Sequence, residues 1–139
     1  MITPYLHFNG TCAEALTAYQ AALGGELSMM AYRDMPGGPP EMAASDRVMN
    51  AMLQTDGLGT LRASDAPPGM DGPPQSSVTV CLEVDDAERG RQLYDELAAG
   101  GEVIQDYGPS FFAGGFGMFQ DRFGTHWMIV AGAQGGPPA

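Results

Sequence analysis

The sequence predicts an α+β protein built from two copies of a β-α-β-β-β module. The main observation is an internal repeat. Leu6-His7-Phe8-Asn9-Gly10, followed by a helical stretch and Leu23-Gly24-Gly25-Glu26-Leu27, recurs later in the chain. The second copy runs Leu82-Glu83-Val84-Asp85-Asp86, then Ala99-Gly100-Gly101-Glu102-Val103, an offset of 76 from Leu6 to Leu82. Self-similarity of this kind sets architecture ahead of any single residue. A second observation is that both copies carry the same helix punctuation, an acidic or hydroxyl cap before and a Gly-Gly pair after. A third is length: 139 residues make one ordinary domain with a sizeable core.

Taken in order, strand one is expected over residues 2–8 and the first helix over 12–23. Thr11 and Glu14 have the capping-box spacing, and Gly24-Gly25 supplies a left-handed stop. Ala15, Leu16, Tyr19 and Leu23 recur at helical spacing and are expected against the sheet. Strands follow over 26–33, 48–55 and 59–64, the last two joined at Asp56-Gly57. The second copy begins with a strand over 77–84 and a helix over 86–99. Asp85 and Glu88 open that helix, and Leu93, Tyr94 and Leu97 lie on its inner side. Strands over 102–107, 117–120 and 126–131 complete it. The modules thus span about 1–65 and 76–132 of a single domain over 1–132. The Pro- and Gly-rich segment 66–75 is the linker, 36–40 a surface loop, and 133–139 a flexible tail.

Composition removes several classes of function. Apolar residues make up 44% of the chain, but no apolar run approaches the ~18 residues of a membrane helix. No basic and apolar leader opens the sequence, so a cytoplasmic protein without a membrane partner is expected. Seventeen acidic residues face six basic ones, all arginine, for a formal charge of -11. Nucleic acid is excluded as a partner because its phosphates need a positive footprint, and the acidity reads as a solubility surface. With no lysine there is neither a Schiff base nor a P-loop lysine. Cys12 and Cys81 are too few for a disulfide scaffold. Cys12 stands at a helix start, where the dipole favours a thiolate, yet a small buried thiol is the plainer reading.

Several segments together resemble PhnB-like proteins. The opening is Pro4-Tyr5-Leu6-x-Phe8-Asn9-Gly10, Glu14-Ala15, Tyr19 and Leu23-Gly24-Gly25. The middle is Val48-Met49-Asn50-Ala51, Ala63-Ser64-Asp65 and Glu83-Val84-Asp85-Asp86; the end is Phe116-Gly117-Met118, Asp121-Arg122-Phe123-Gly124 and Trp127. PhnB-like proteins belong to the vicinal oxygen chelate superfamily, with glyoxalase I, bleomycin-resistance proteins and extradiol dioxygenases. The resemblance implies paired modules related by a pseudo-two-fold, a curved eight-stranded mixed sheet and a homodimer. Its enzymes hold a divalent metal in the concavity, with ligands from the first and last strands of each module. Some members have carried a ubiquinone-biosynthesis methyltransferase label. No glycine-rich nucleotide loop follows strand one here to support that.

Strand alternation asks what occupies those places in this chain. Ile2, Leu6 and Phe8 are expected toward the helix, leaving Thr3, Tyr5 and His7 on the concave side. In module two Val80, Leu82 and Val84 face the helix, leaving Thr79, Cys81 and Glu83. Aligned on the family's motifs, the ligand positions hold Thr3, Arg62, Thr79 and Met128, expected to converge in a central cavity. Divalent ions want imidazole and carboxylate, so no metal or other cofactor is expected. The family's histidine in the Val48-Met49-x-Ala51 stretch is also replaced, by Asn50.

Tyr5, His7, Glu83 and His126 are expected nearby. His7 with Glu83 suits acid–base work, although a pocket-lining pair is the better reading. A two-histidine metal site from His7 and His126 is a further alternative. Arg62 is expected inward, among apolar residues, meeting either Glu83 or an anionic ligand. Tyr5, Phe111, Phe112 and Met128, with some of Met29, Met49 and Met52, are expected to form an apolar wall; most methionines are expected in the core. Trp127 alternates with Met128 and is assigned to packing. The functional expectation is a metal-free small-molecule-binding protein with an apolar cavity, with Arg62 as the anchor for an anionic group on the ligand. The alternative is a metal-dependent lyase or dioxygenase with ligands at other positions, since a one-residue register slip turns every face.

Overall fold

The computed structural model describes residues 1–133, and the chain divides into two compact units, Met1–Gln75 and Ser76–Ala139. The first unit contains β1 (Tyr5–Phe8), α1 (Cys12–Leu23), β2 (Glu26–Ala31), β3 (Val48–Gln54) and β4 (Thr60–Asp65). Its sheet has the order β1-β4-β3-β2, with β1 parallel to β4 and the other neighbours antiparallel. The second contains β5 (Thr79–Val84), α2 (Ala87–Ala98), β6 (Glu102–Gly108), β7 (Ala113–Gln120) and β8 (His126–Ala133). Its order, β5-β8-β7-β6, is the same. Each module therefore closes its own four-stranded mixed sheet, and the predicted α+β class and β-α-β-β-β order are both observed.

The repeat extends to register. Tyr5 lies opposite Arg62 and Leu6 opposite Ala63; Cys81 lies opposite Met128 and Leu82 opposite Ile129. The side chains facing the helices carry the core. Leu6, Phe8, Leu53, Leu61 and Ala63 are buried with Ala15, Leu16, Tyr19 and Leu23 of α1. Leu82, Phe119, Trp127 and Ile129 are buried with Leu93, Tyr94 and Leu97 of α2. None of the ten methionines belongs to the buried core, contrary to expectation. Leucine, alanine and aromatic rings fill these interiors, and the methionines lie at partly or fully exposed positions.

Strand one is shorter than predicted. It starts at Tyr5, and Ile2, expected against the helix, is fully exposed. Pro4 has no N–H to donate, and the ladder's last contact at this end is Arg62 N–H to the Pro4 carbonyl, 3.0 Å. Conversely β7 begins at Ala113, earlier than its glycines suggested. Gly115 and Gly117 are there because the Tyr107 and Tyr94 rings lie against the strand, where a Cβ would collide with them.

Both helices are capped differently from the predicted boxes. Thr11 makes no side-chain cap on α1. The Asp65 carboxylate, buried at the end of β4, takes its place: Oδ1 accepts from Gly10 N–H (2.8 Å) and Cys12 N–H (3.0 Å), and Oδ2 from Val48 N–H (2.9 Å). On α2 the cap is Asp86, accepting from Arg89 N–H at 2.9 Å, one residue later than predicted. The predicted Gly-Gly stop holds on α1, with Gly24 at φ 72° and Gly25 at φ 97°.

Segment 66–75 belongs to the first unit. Arg47 donates to the carbonyls of Ala66 and Asn9 and pairs with Asp71 at 2.6 Å, while Asn9 and Gly72 exchange two hydrogen bonds. This ties the segment to the β1–α1 turn. Of the tail predicted over 133–139, Ala133 ends β8 and the rest lies outside the described residues.

Candidate functional site

In the first unit, α1 covers one face of the sheet and the alternate residues project from the other. Across that second face the register aligns Tyr5 on β1, Arg62 on β4, Met52 on β3 and Ser28 on β2. Neighbouring strands stand about 4.8 Å apart, so Arg62 rises between Tyr5 and Met52. His7 and Ser64 form the next pair along. The Tyr5 and His7 rings lie 5.1 Å apart between centroids at 36°.

Arg62 departs from expectation. It is exposed, so no desolvation forces a partner on it. Within its unit Arg33 pairs with Asp46 and Arg47 with Asp71, but among the described residues the Arg62 guanidinium meets no carboxylate. Thr3 is also displaced, for it precedes β1 and is outside the alternation that placed it beside Tyr5 and His7. A groove of about 410 Å³ runs along the β2 edge, lined by Gln20, Gly25, Glu26, Leu27, Ser28, Met52 and Gln54. Of the predicted residues it meets only Met52, with Ser28 beside it at the far end of the Arg62 row.

In the second unit the equivalent face carries Thr79 beside His126 and Cys81 beside Met128, with Glu83 next on β5. Thr79, Cys81 and Glu83 are exposed, as alternation predicted. His126 Nδ1 is buried without a hydrogen-bond partner among the described residues. Partial burial, then the neighbouring Glu83 carboxylate, push the Cys81 thiol up. Cys12 is fully buried and pushed up to about 12, first by desolvation and then by Asp65, which rules out the thiolate its helix position suggested. Phe111 is 85% exposed at the turn between β6 and β7 and stacks edge-on against Phe112, which stacks on Phe116. Phe111 is therefore a turn-tip residue whose ring reaches the sheet through two others.

What sequence reasoning missed are the buried carboxylates. Asp65 and Asp121 are 2% and 4% exposed and organise backbone N–H groups. Both lie in the segments that carried the family resemblance, a signal that could have pointed to them.

This fold and these segments belong to a defined class. The chain is a member of the Glyoxalase/Bleomycin resistance protein/Dioxygenase superfamily, whose family model matches residues 2–129. It is 39% identical to protein PA1353 from Pseudomonas aeruginosa, with a TM-score of 0.85 over 94% of this chain and 96% of that one. It is 30% identical to Protein YjdN of Escherichia coli (strain K12) over 138 residues, 92% of each. A PhnB protein from Bacillus cereus, described as a putative 3-demethylubiquinone-9 3-methyltransferase, shares the fold at 21% identity. Its TM-score is 0.68 over 94% of this chain and 98% of that one.

The superfamily implies a divalent ion, and the donors here do not fit one. Thr3, Arg62, Thr79 and Met128 offer two hydroxyls, a guanidinium and a thioether. Among the described residues no three His, Cys, Asp or Glu side chains group closely enough to hold a metal ion. Among the described residues, no helix is long and apolar enough to cross a membrane.

Proposed function

We propose that this superfamily member binds a small molecule carrying a negative charge, without a divalent ion. The contact is Arg62, on the first unit's sheet face turned away from α1. The observation that carries this reading is charge left unmet. In a chain of net charge -11, Arg62 stands exposed between Tyr5 and Met52 while the unit's other two arginines are paired. A free guanidinium offers a fork of donors that matches carboxylate geometry. Tyr5, His7 and Met52 give the ligand apolar and aromatic surface beside it.

Exposure limits the strength of that contact. A solvated ion pair contributes about 0.2–1 kcal/mol, so Arg62→Ala should weaken an anionic ligand about 1.5- to 5-fold. Titration of an acid and its neutral amide against both proteins tests this, and equal weakening of the two would refute the anchor. Chelation by EDTA should leave affinity unchanged; loss restored by a divalent cation would overturn the metal-independent reading.

A homodimer accompanies this proposal. Edge strands β2 and β6 expose Met29 and Met30, and Val103 and Ile104, apolar pairs suited to cover by a second copy. Light scattering that reports a monomer at micromolar concentration would remove it.

A further inference from the structure

We infer that the anion held at Arg62 is aromatic, a planar ring carboxylate or phenolate rather than an aliphatic acid. This rests on the anion reading of Arg62 and names the ligand's chemical class. Tyr5 and His7 leave β1 on one side, two residues apart, with ring centroids 5.1 Å from each other. Tyr5 is the register partner of Arg62, so a ring stands one strand from the guanidinium, about 4.8 Å in backbone spacing. Tyr5 is 44% exposed and keeps ring surface available for a further contact.

Met52 flanks Arg62 on the opposite side. Its thioether is polarizable and favours the edge of a ring about 5 Å away. A carboxylate taken by the guanidinium brings its attached group over Tyr5 or Met52. An aryl group there gains offset or edge-to-face contact, whereas an alkyl group gains buried area alone. A phosphate ester fits less well, because its second charge calls for a second cation. The row supplies only Met52, the Ser28 hydroxyl and the Tyr5 hydroxyl.

The other module provides an internal comparison. The same register row there holds Cys81, Met128 and Met118, with neither ring nor cation. The ring beside a free guanidinium is therefore a property of these residues and not of the module.

Calorimetric titration of the full chain with three probes of similar shape decides the matter: naphthalene-2-carboxylate, its saturated decalin analogue, and naphthalene-2-carboxamide. The aryl acid should bind about three- to tenfold more tightly than the saturated acid, the range of one ring–ring contact. Tyr5→Leu should erase that preference, weakening the aryl acid by more than the saturated one. Arg62→Gln should weaken both acids by more than it weakens the amide. Both variants should melt like the parent, since both positions are exposed. Equal binding of the two acids overturns the aromatic class and leaves the anion reading standing. Equal binding of aryl acid and amide removes the anion reading, and this inference with it. No saturable binding of the aryl acid overturns the inference as well.

Discussion

Trp127 Nε1 donates a 2.8 Å hydrogen bond to Asp121 Oδ2, and both side chains are buried, at 1% and 4% exposure. The other oxygen, Oδ1, accepts from the N–H groups of Phe123 and Thr125, each at 2.9 Å. One carboxylate thus folds the β7–β8 turn and holds the indole on the α2 side of the sheet. Asp121→Ala would remove the acceptor of three hydrogen bonds, two of them buried, and should destabilise the fold by about 3 kcal/mol. Trp127→Phe should cost about 1–2 kcal/mol through the lost donor and lost ring volume. Urea unfolding of both variants checks this; an Asp121→Ala loss below that of Trp127→Phe would contradict it.

The cap of α1 offers a sharper contrast. Asp65 accepts from Gly10, Cys12 and Val48, while Thr11 makes no side-chain cap. Asp65→Ala should cost about 2–4 kcal/mol, and Thr11→Ala under about 0.5 kcal/mol. Comparable losses from the two, measured by chemical denaturation, would restore the capping box that the local sequence suggested.

The two thiols should behave differently. Cys12 is buried, with its thiol pushed up to about 12, while Cys81 is exposed. A thiol reagent should modify one cysteine in the native protein and both in denaturant. Glu83→Gln should speed modification of Cys81 at fixed pH, since the carboxylate helps to raise that thiol.

Stability follows from the same shift. The unfolded Cys12 thiol loses its proton near 9.0 and the folded one at about 12. Above pH ~9 the unfolded state therefore binds fewer protons, and stability falls as pH rises through that window. Cys12→Ala should flatten this alkaline slope in pH-dependent melting; an unchanged slope would assign it to other groups.

Arg47 should govern segment 66–75. Its bonds to Ala66, Asp71 and the Asn9 carbonyl tie that segment down, and the Asp71 hydrogen bond raises the pKa of its guanidinium. Arg47→Ala should increase proteolytic nicking within 66–75 several-fold, because a cleavable chain must first detach. An unchanged cleavage rate would show that the Asn9–Gly72 pair suffices.

Much of this was legible because it is local. The Gly-Gly stops, the inner face of α1 and the parity of β5 depend on neighbours one to four residues apart, which alternation and helical spacing record directly. Glycine misled over β7, whose breaks in pattern are fitted to Tyr94 and Tyr107 on other elements. Arg62 misled as well: alternation gave its face but not its exposure.

By itself the sequence determined that there are two modules, which elements each contains, their order, and which sides of β1, β5 and β8 meet a helix. Only the tertiary structure decided that Asp65, 53 residues from Cys12, caps α1. It likewise decided that the methionines lie outside the core and that Arg62 stands exposed beside Tyr5, without an ion pair among the described residues. The division has a physical basis. Backbone periodicity is set by bonds between near neighbours, whereas capping across strands, burial and ion pairing depend on which distant segments the folded chain brings together.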